Sequence, residues 1–153
     1  MVAARRMLPA LLLLAPLLAG GTCGTGFQDI QEETRAGQLL GTAVVPPVET
    51  SASGHAAGTL FGNNLSLQGT FADLASPLLP ANEGPVVLRI AEPGANGPDV
   101  TVVPAASVDG RTGTFEIGIL VENDVAQAFV DGRTYVEVRT VDHPEGELRA
   151  NLK

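Results

Sequence analysis

The stretch Gly113-Thr114-Phe115-Glu116-Ile117-Gly118-Ile119-Leu120-Val121 decides the fold. Phe115, Ile117, Ile119 and Val121 fall at every second position, the period of a half-buried β-strand. A helix would need apolar spacings of three and four. The same alternation sets Leu65, Leu67 and Phe71 against Ser66, Gln68 and Thr70, and Val86, Leu88 and Ile90 against Val87, Arg89 and Ala91. Segments 54–61 and 64–72 read as a hairpin, with Gly62-Asn63-Asn64 as its turn. An opening strand over 38–45 is expected to end at Pro46-Pro47, which cannot continue a ladder. Residues 77–85 form a loop, and Glu92-Pro93-Gly94-Ala95-Asn96-Gly97-Pro98 a turn before a strand over 99–103. Strands over 135–140 and 147–152 close the chain. One short helix is predicted over 123–129, with Asn123 or Asp124 as its N-cap. About eight short strands punctuated by turns specify an all-β, antiparallel β-sandwich or barrel.

The start of the chain has a different character. Arg5 and Arg6 precede an apolar run from Met7 to Ala19 and then small residues, the pattern of a secretory signal over residues 1–21. The run falls short of the roughly 20 residues a membrane span needs, and Pro9 and Pro16 interrupt it. Two ends of this segment are open. Cleavage after Gly21 would place Ala19 and Gly21 at the small-residue subsites of a signal peptidase. Alternatively Cys23, the single cysteine, is a candidate lipidation site, preceded by Leu18-Ala19-Gly20-Gly21-Thr22. A lone cysteine in an oxidising compartment has no internal disulfide partner. Residues 22–35 read as a flexible tether and 36–153 as the folded domain.

Removing residues 1–21 takes away Arg5 and Arg6 but no acid. Lys+Arg falls from 9 to 7 against 17 Asp+Glu, and the formal charge moves from −8 to −10. So acidic a domain repels phosphates, which argues against a nucleic-acid partner. It also repels anionic headgroups, leaving membrane attachment to a lipid at Cys23. Eighteen glycines and eleven prolines, with no tryptophan, fit many turns between short strands.

Three stretches carry a family resemblance: Leu40-Gly41-Thr42-Ala43-Val44-Val45-Pro46-Pro47-Val48, the turn Ala95-Asn96-Gly97-Pro98, and Tyr135-Val136-Glu137-Val138-Arg139-Thr140 running on to His143-Pro144-Glu145-Gly146-Glu147-Leu148-Arg149. In this order the chain resembles the CHRD (chordin-type) domain family over residues 36–153. The resemblance implies a β-sandwich of immunoglobulin-like or superoxide-dismutase-like arrangement in an exported protein. Many members of that family carry two histidines in the segment that here reads Leu88-Arg89-Ile90-Ala91, and a third in the strand over 135–140. Here Arg89 and Ala91 stand in place of the first two, Arg139 in place of the third, and Glu137 where the family has asparagine. Guanidinium offers no lone pair to a metal, so no metal or other cofactor is expected at these positions.

The remaining candidates are few. His55 and His143 have no close ligand at metal spacing, and no nucleophile elbow, metalloprotease helix or phosphate loop occurs. Alternation puts Arg89 and Arg139 on the face opposite the aliphatic core, beside Tyr135 and Glu137. Two readings follow. The arginines with Tyr135 form a contact for a carboxylate or sulfate, as on an acidic glycan, or they form cross-strand ion pairs with Glu137, Glu92 or Glu116. Glu147 and Arg149 share one face of the last strand and read as a structural pair locking it to the sheet. The function expected is a binding or structural module of the cell envelope, partnered by an envelope protein or a glycan. The competing class is a carbohydrate-active or metal-dependent enzyme using a cleft between loops.

Overall fold

A computed structural model describes residues 31–153. The signal segment, Cys23 and most of the tether lie outside the described residues. Nine strands follow in chain order: β1 (Glu32–Leu40), β2 (Ser53–Phe61), β3 (Asn64–Ala72), β4 (Val86–Ile90), β5 (Asp99–Val102), β6 (Ala105–Ser107), β7 (Gly113–Leu120), β8 (Thr134–Val138) and β9 (Leu148–Asn151). One helix, α1 (Asn123–Val130), bridges β7 and β8. All pairings are antiparallel. The fold is therefore all-β, as the alternation requires.

The strands form one continuous ladder in the order β5-β4-β8-β9-β1-β2-β3-β7-β6. The hydrogen bonds run without a break through a single sheet that curls around its core. β1 links the two halves. It pairs with β2 along its whole length, but meets β9 at Leu40↔Arg149 and through the reciprocal Ala36–Lys153 backbone bonds. The two edge strands, β5 and β6, are neighbours in sequence, separated by Val103 and Pro104. Val103 donates its N–H to Val86 O on one side, and Pro104 O accepts from Glu116 on the other. Proline has no N–H with which to prolong either ladder, so the chain passes there from one edge to the other.

Two sequence boundaries move. β1 begins at Glu32, so residues 32–35 belong to the sheet and not to the tether, and it ends at Leu40, where Gly41–Ala43 forms a 3₁₀ turn. Glu33 and Arg35 anchor its polar start: they pair with each other, and Arg35 Nη2 donates to Val130 O at the end of α1. The N-cap of α1 is Glu122, which makes no capping bond; Asp124 binds the neighbouring Val125 N–H instead.

One buried cluster draws on both halves of the sheet, including Leu39, Leu60, Leu67, Phe71, Leu88, Phe115, Phe129, Val136 and Leu148. Burying each large side chain of this kind contributes about 1.5–3 kcal/mol. Glycines make room for the rings. Phe129 lies over Gly58, and Phe115 lies over Gly69, its partner across the β3–β7 ladder. A Cβ on Gly69 would overlap the Phe115 ring and the His55 carbonyl oxygen, whereas a Cβ on Gly118 of β7 would meet nothing within 4 Å. Gly69→Ala is therefore expected to destabilise the domain by about 1–3 kcal/mol, the usual cost of overpacking. Gly118→Ala should leave stability unchanged or raised. Urea unfolding of both variants checks the contrast.

Candidate functional site

β8 is buried along its entire length. Its inward side chains, Val136 and Val138, enter the apolar core, so Tyr135, Glu137 and Arg139 point the other way. That second face is also covered. The segment 92–98 folds over it as a strap, held where Gly97 N donates to Tyr135 Oη at 2.9 Å and where Asn96 Nδ2 donates to Val45 O at 2.6 Å. The sheet thus has an apolar layer on one side and a polar layer under a roof on the other.

The register assembles this polar layer. Arg89 of β4 lies opposite Tyr135, and Glu137 lies opposite Arg149 of β9. Arg89 Nη1 donates to Glu137 Oε2 at 2.8 Å and its Nε donates to Asp99 Oδ1 at 2.5 Å. Arg139 Nη2 donates to the same Asp99 oxygen at 2.9 Å. Arg149 stacks on the Tyr135 ring, its Cζ 3.6 Å from the centroid, a cation–π contact in a desolvated place. Its Nη1 donates to Ala95 O at 2.9 Å and its Nε to Asn151 Oδ1 at 3.1 Å. Glu137 and Arg149 are each only 1 % exposed, which rules out solvent as their partner.

The electrostatics follow the burial. Burial pushes the Glu137 carboxyl above its ordinary value, against the opposing charges of Arg89, Arg139 and Arg149. For Asp99, which remains part-exposed, burial pushes the same way but loses to the hydrogen bonds from Arg89 and Arg139, so its carboxyl is held low. Burial lowers Arg149, whereas Arg89 ends raised because Asp99 and Glu137 outweigh its desolvation.

A second buried carboxylate sits nearby. Glu147 is fully buried and accepts Thr50 Oγ1 and Ala75 N at 2.8 Å on one oxygen, and Thr140 Oγ1 at 2.9 Å on the other. It ties together the segments before β2, after β3 and after β8. Gly146 precedes it with φ +129°, a conformation that L side chains rarely adopt, and a Cβ there would come within 2.5 Å of Glu137 Oε1. Glycine at this position lets the closing turn press against the Glu137 side chain.

Arg89, Arg139, Tyr135 and Glu137 share one face of the sheet. That face is not an open surface: the strap roofs it. The guanidinium groups that would grip a free carboxylate or sulfate are engaged by Glu137 and Asp99. Of the three acids expected as ion-pair partners, Glu137 pairs with Arg89, Glu92 lies 3.9 Å from Arg133, and Glu116 belongs to β7 in the other half of the sheet. Glu147 and Arg149 do not form the expected pair: they make separate networks. Asp99, Thr50 and Thr140 were missed as partners, because contacts between distant segments leave no periodic trace in a sequence. Among the described residues no group of three or more His, Cys, Asp or Glu side chains is placed to hold a metal ion. His55 Nδ1 shares a 3.1 Å hydrogen bond with Thr70 Oγ1.

A family model described as the CHRD domain matches residues 36–152, which is nearly all of the folded chain. Neither the comparison with curated proteins nor that with solved structures gives a match.

Removing Glu137 leaves Arg89 with Asp99 alone and takes from Arg149 the carboxylate opposite it, so Glu137→Ala is expected to cost about 3–5 kcal/mol at pH 7. Asp99 supplies a test by pH. Its folded value lies below its unfolded value near pH 4, so its contribution is complete above about pH 4 and is lost as pH falls through the depressed folded value. Glu137 has the opposite sign: with its folded value raised, its contribution is complete below about pH 4 and declines as pH rises through that value. Asp99→Asn should therefore be less stable than the parent at pH 7, and the gap should narrow as the pH is lowered below about 4. A gap that urea unfolding finds constant over this range contradicts the assignment.

Proposed function

The chain belongs to the CHRD domain family, and from that premise we propose that it is an exported, non-catalytic module that binds or braces a component of the cell envelope. The observation that carries this reading is the internal use of its buried ionisable groups. Glu137, Glu147, Arg89 and Arg149 are the groups a catalytic site would draw on, and each is committed to holding one segment against another. A general acid or base must reach a substrate proton; these carboxylates are sealed under loops. What the domain offers outward is instead a broad, ordered sheet surface formed by β1, β2, β3 and β7.

Export is supported by the basic, apolar and small-residue sequence of the first 21 residues. Two forms of the mature protein follow from the alternative processing sites, one beginning at Thr22 and one lipidated at Cys23. The partner of such a module is an envelope protein or a glycan.

Intact-mass analysis of the protein recovered from fractionated cells tests this reading. The expected mass is that of a chain lacking residues 1–21, or lacking 1–22 with a lipid added. In the lipidated case Cys23→Ser should move the protein from the detergent phase to the aqueous phase. A full-length, unprocessed chain confined to the cytoplasm contradicts the proposal.

A further inference from the structure

The outward residues of β2, β3 and β7 are small or polar apart from Phe61 and Leu120 at one end, and they line up in register across the strands. One row reads Phe61, Asn64, Leu120; the next Thr59, Ser66, Gly118; then Ala57, Gln68, Glu116; then His55, Thr70, Thr114. Three depressions of about 320–360 Å³ lie along β3 and β7, and neighbouring ones share lining residues: Ser66 and Gly118 join the first to the second, Gln68 and Glu116 the second to the third. Together they make a shallow, open furrow along the sheet surface from Asn64 to Thr70. At about 3.3 Å per residue this is about 20 Å long. Gly118 leaves its floor open, with nothing within 4 Å of where a Cβ would be.

The chemistry of the furrow changes along it. At one end Phe61 and Leu120 are 51 % and 77 % exposed, two apolar surfaces flanking the Asn64 amide. An exposed aromatic ring beside polar groups suits a ligand that has both C–H faces and hydroxyl edges. Further along, the Gln68 amide and the Thr70 and Thr114 hydroxyls both donate and accept, while the Glu116 carboxylate only accepts. No outward residue of β1, β2, β3 or β7 is Lys or Arg, and Glu32 and Glu116 are acidic. A polyanion is repelled from such a surface. A peptide cannot add as a strand either, because β3 is already hydrogen-bonded on both sides, to β2 and β7.

The geometry points to this furrow as a binding site for an uncharged, extended, β-linked glycan chain, the straight polymer of hydroxyl-bearing rings that its length, apolar end and mixed donors and acceptors fit. This rests on the reading of the chain as an envelope binding module, and it moves the contact away from Arg89 and Arg139, where an acidic glycan was the expectation.

The test uses ¹⁵N-labelled mature protein recovered from the exported fraction, titrated with three hexaoses: β-1,4-linked glucose, β-1,4-linked N-acetylglucosamine and β-1,4-linked mannuronic acid. At least one neutral hexaose is expected to shift the amides of Ser66, Gln68, Glu116 and Gly118, while the mannuronate hexaose leaves them unmoved. Phe61→Ala and Gln68→Ala should each weaken the binding at least tenfold with unchanged Tm. Glu92→Ala, on the strap of the opposite half-sheet, should leave it unchanged. Absence of shifts with both neutral hexaoses at millimolar concentration overturns the glycan site. So does preferred binding of mannuronate, or equal weakening by Glu92→Ala. Each of these outcomes is read on protein already shown to be exported, so it leaves the envelope reading standing, whereas failure of export overturns that reading without touching the furrow.

Discussion

Glu137 sits on β8, a strand buried on both faces, and a carboxylate there must be met by cations and donors or be lost. Much of the architecture of that half of the molecule answers this requirement. Arg89 reaches it from β4, with Arg149 opposite it on β9. Those arginines need acceptors of their own. Asp99 at the start of β5 and the carbonyl of Ala95 in the strap provide them. Tyr135 lies under Arg149 and fixes the strap through Gly97. A chain of charge satisfaction thus links β4, β5, β8, β9 and the 92–98 segment. A simple apolar layer would have bound them with less directional control.

The closing motif serves the same end from the other side. Gly146 gives Glu137 its space, and the next residue, Glu147, gathers donors from three separate segments. Neighbouring residues of one short turn therefore govern two buried carboxylates. The apolar core beneath, with Phe71, Phe115 and Phe129 packed against both halves of the sheet, supplies the bulk of the driving force. The polar layer determines which loops cover which strands.

Much of this was legible in the sequence. Period two in 113–121, 64–72 and 86–90 named the strands and their inward faces, since side-chain direction along a strand is a local property. The same alternation put Arg89, Glu137 and Arg139 on a common face. It did not show that the face is roofed, because burial by a loop such as 92–98 depends on contacts between residues far apart in sequence. The start of β1 was missed for a related reason. Glu32 to Arg35 is polar and looks like a tether, yet it is paired with β2 from Phe61 to Gly58, and the strand exists because its partner does. The continuous ladder also escaped the sequence, since curling a sheet into one layer or splitting it into two uses identical strands.

The two sides of the curled sheet use their polar residues differently. The β4-β8-β9 side turns its charges inward, and the β2-β3-β7 side carries its polar groups outward. The central claim is that the buried charges are coupled to one another as a clamp. A double-mutant cycle on Arg89→Leu and Glu137→Leu, followed by urea unfolding at pH 7, tests it most directly. The account predicts that the pair costs less than the sum of the two single changes, with a coupling of about 1.5–3 kcal/mol. Single effects that simply add, to within about 0.5 kcal/mol, would contradict it.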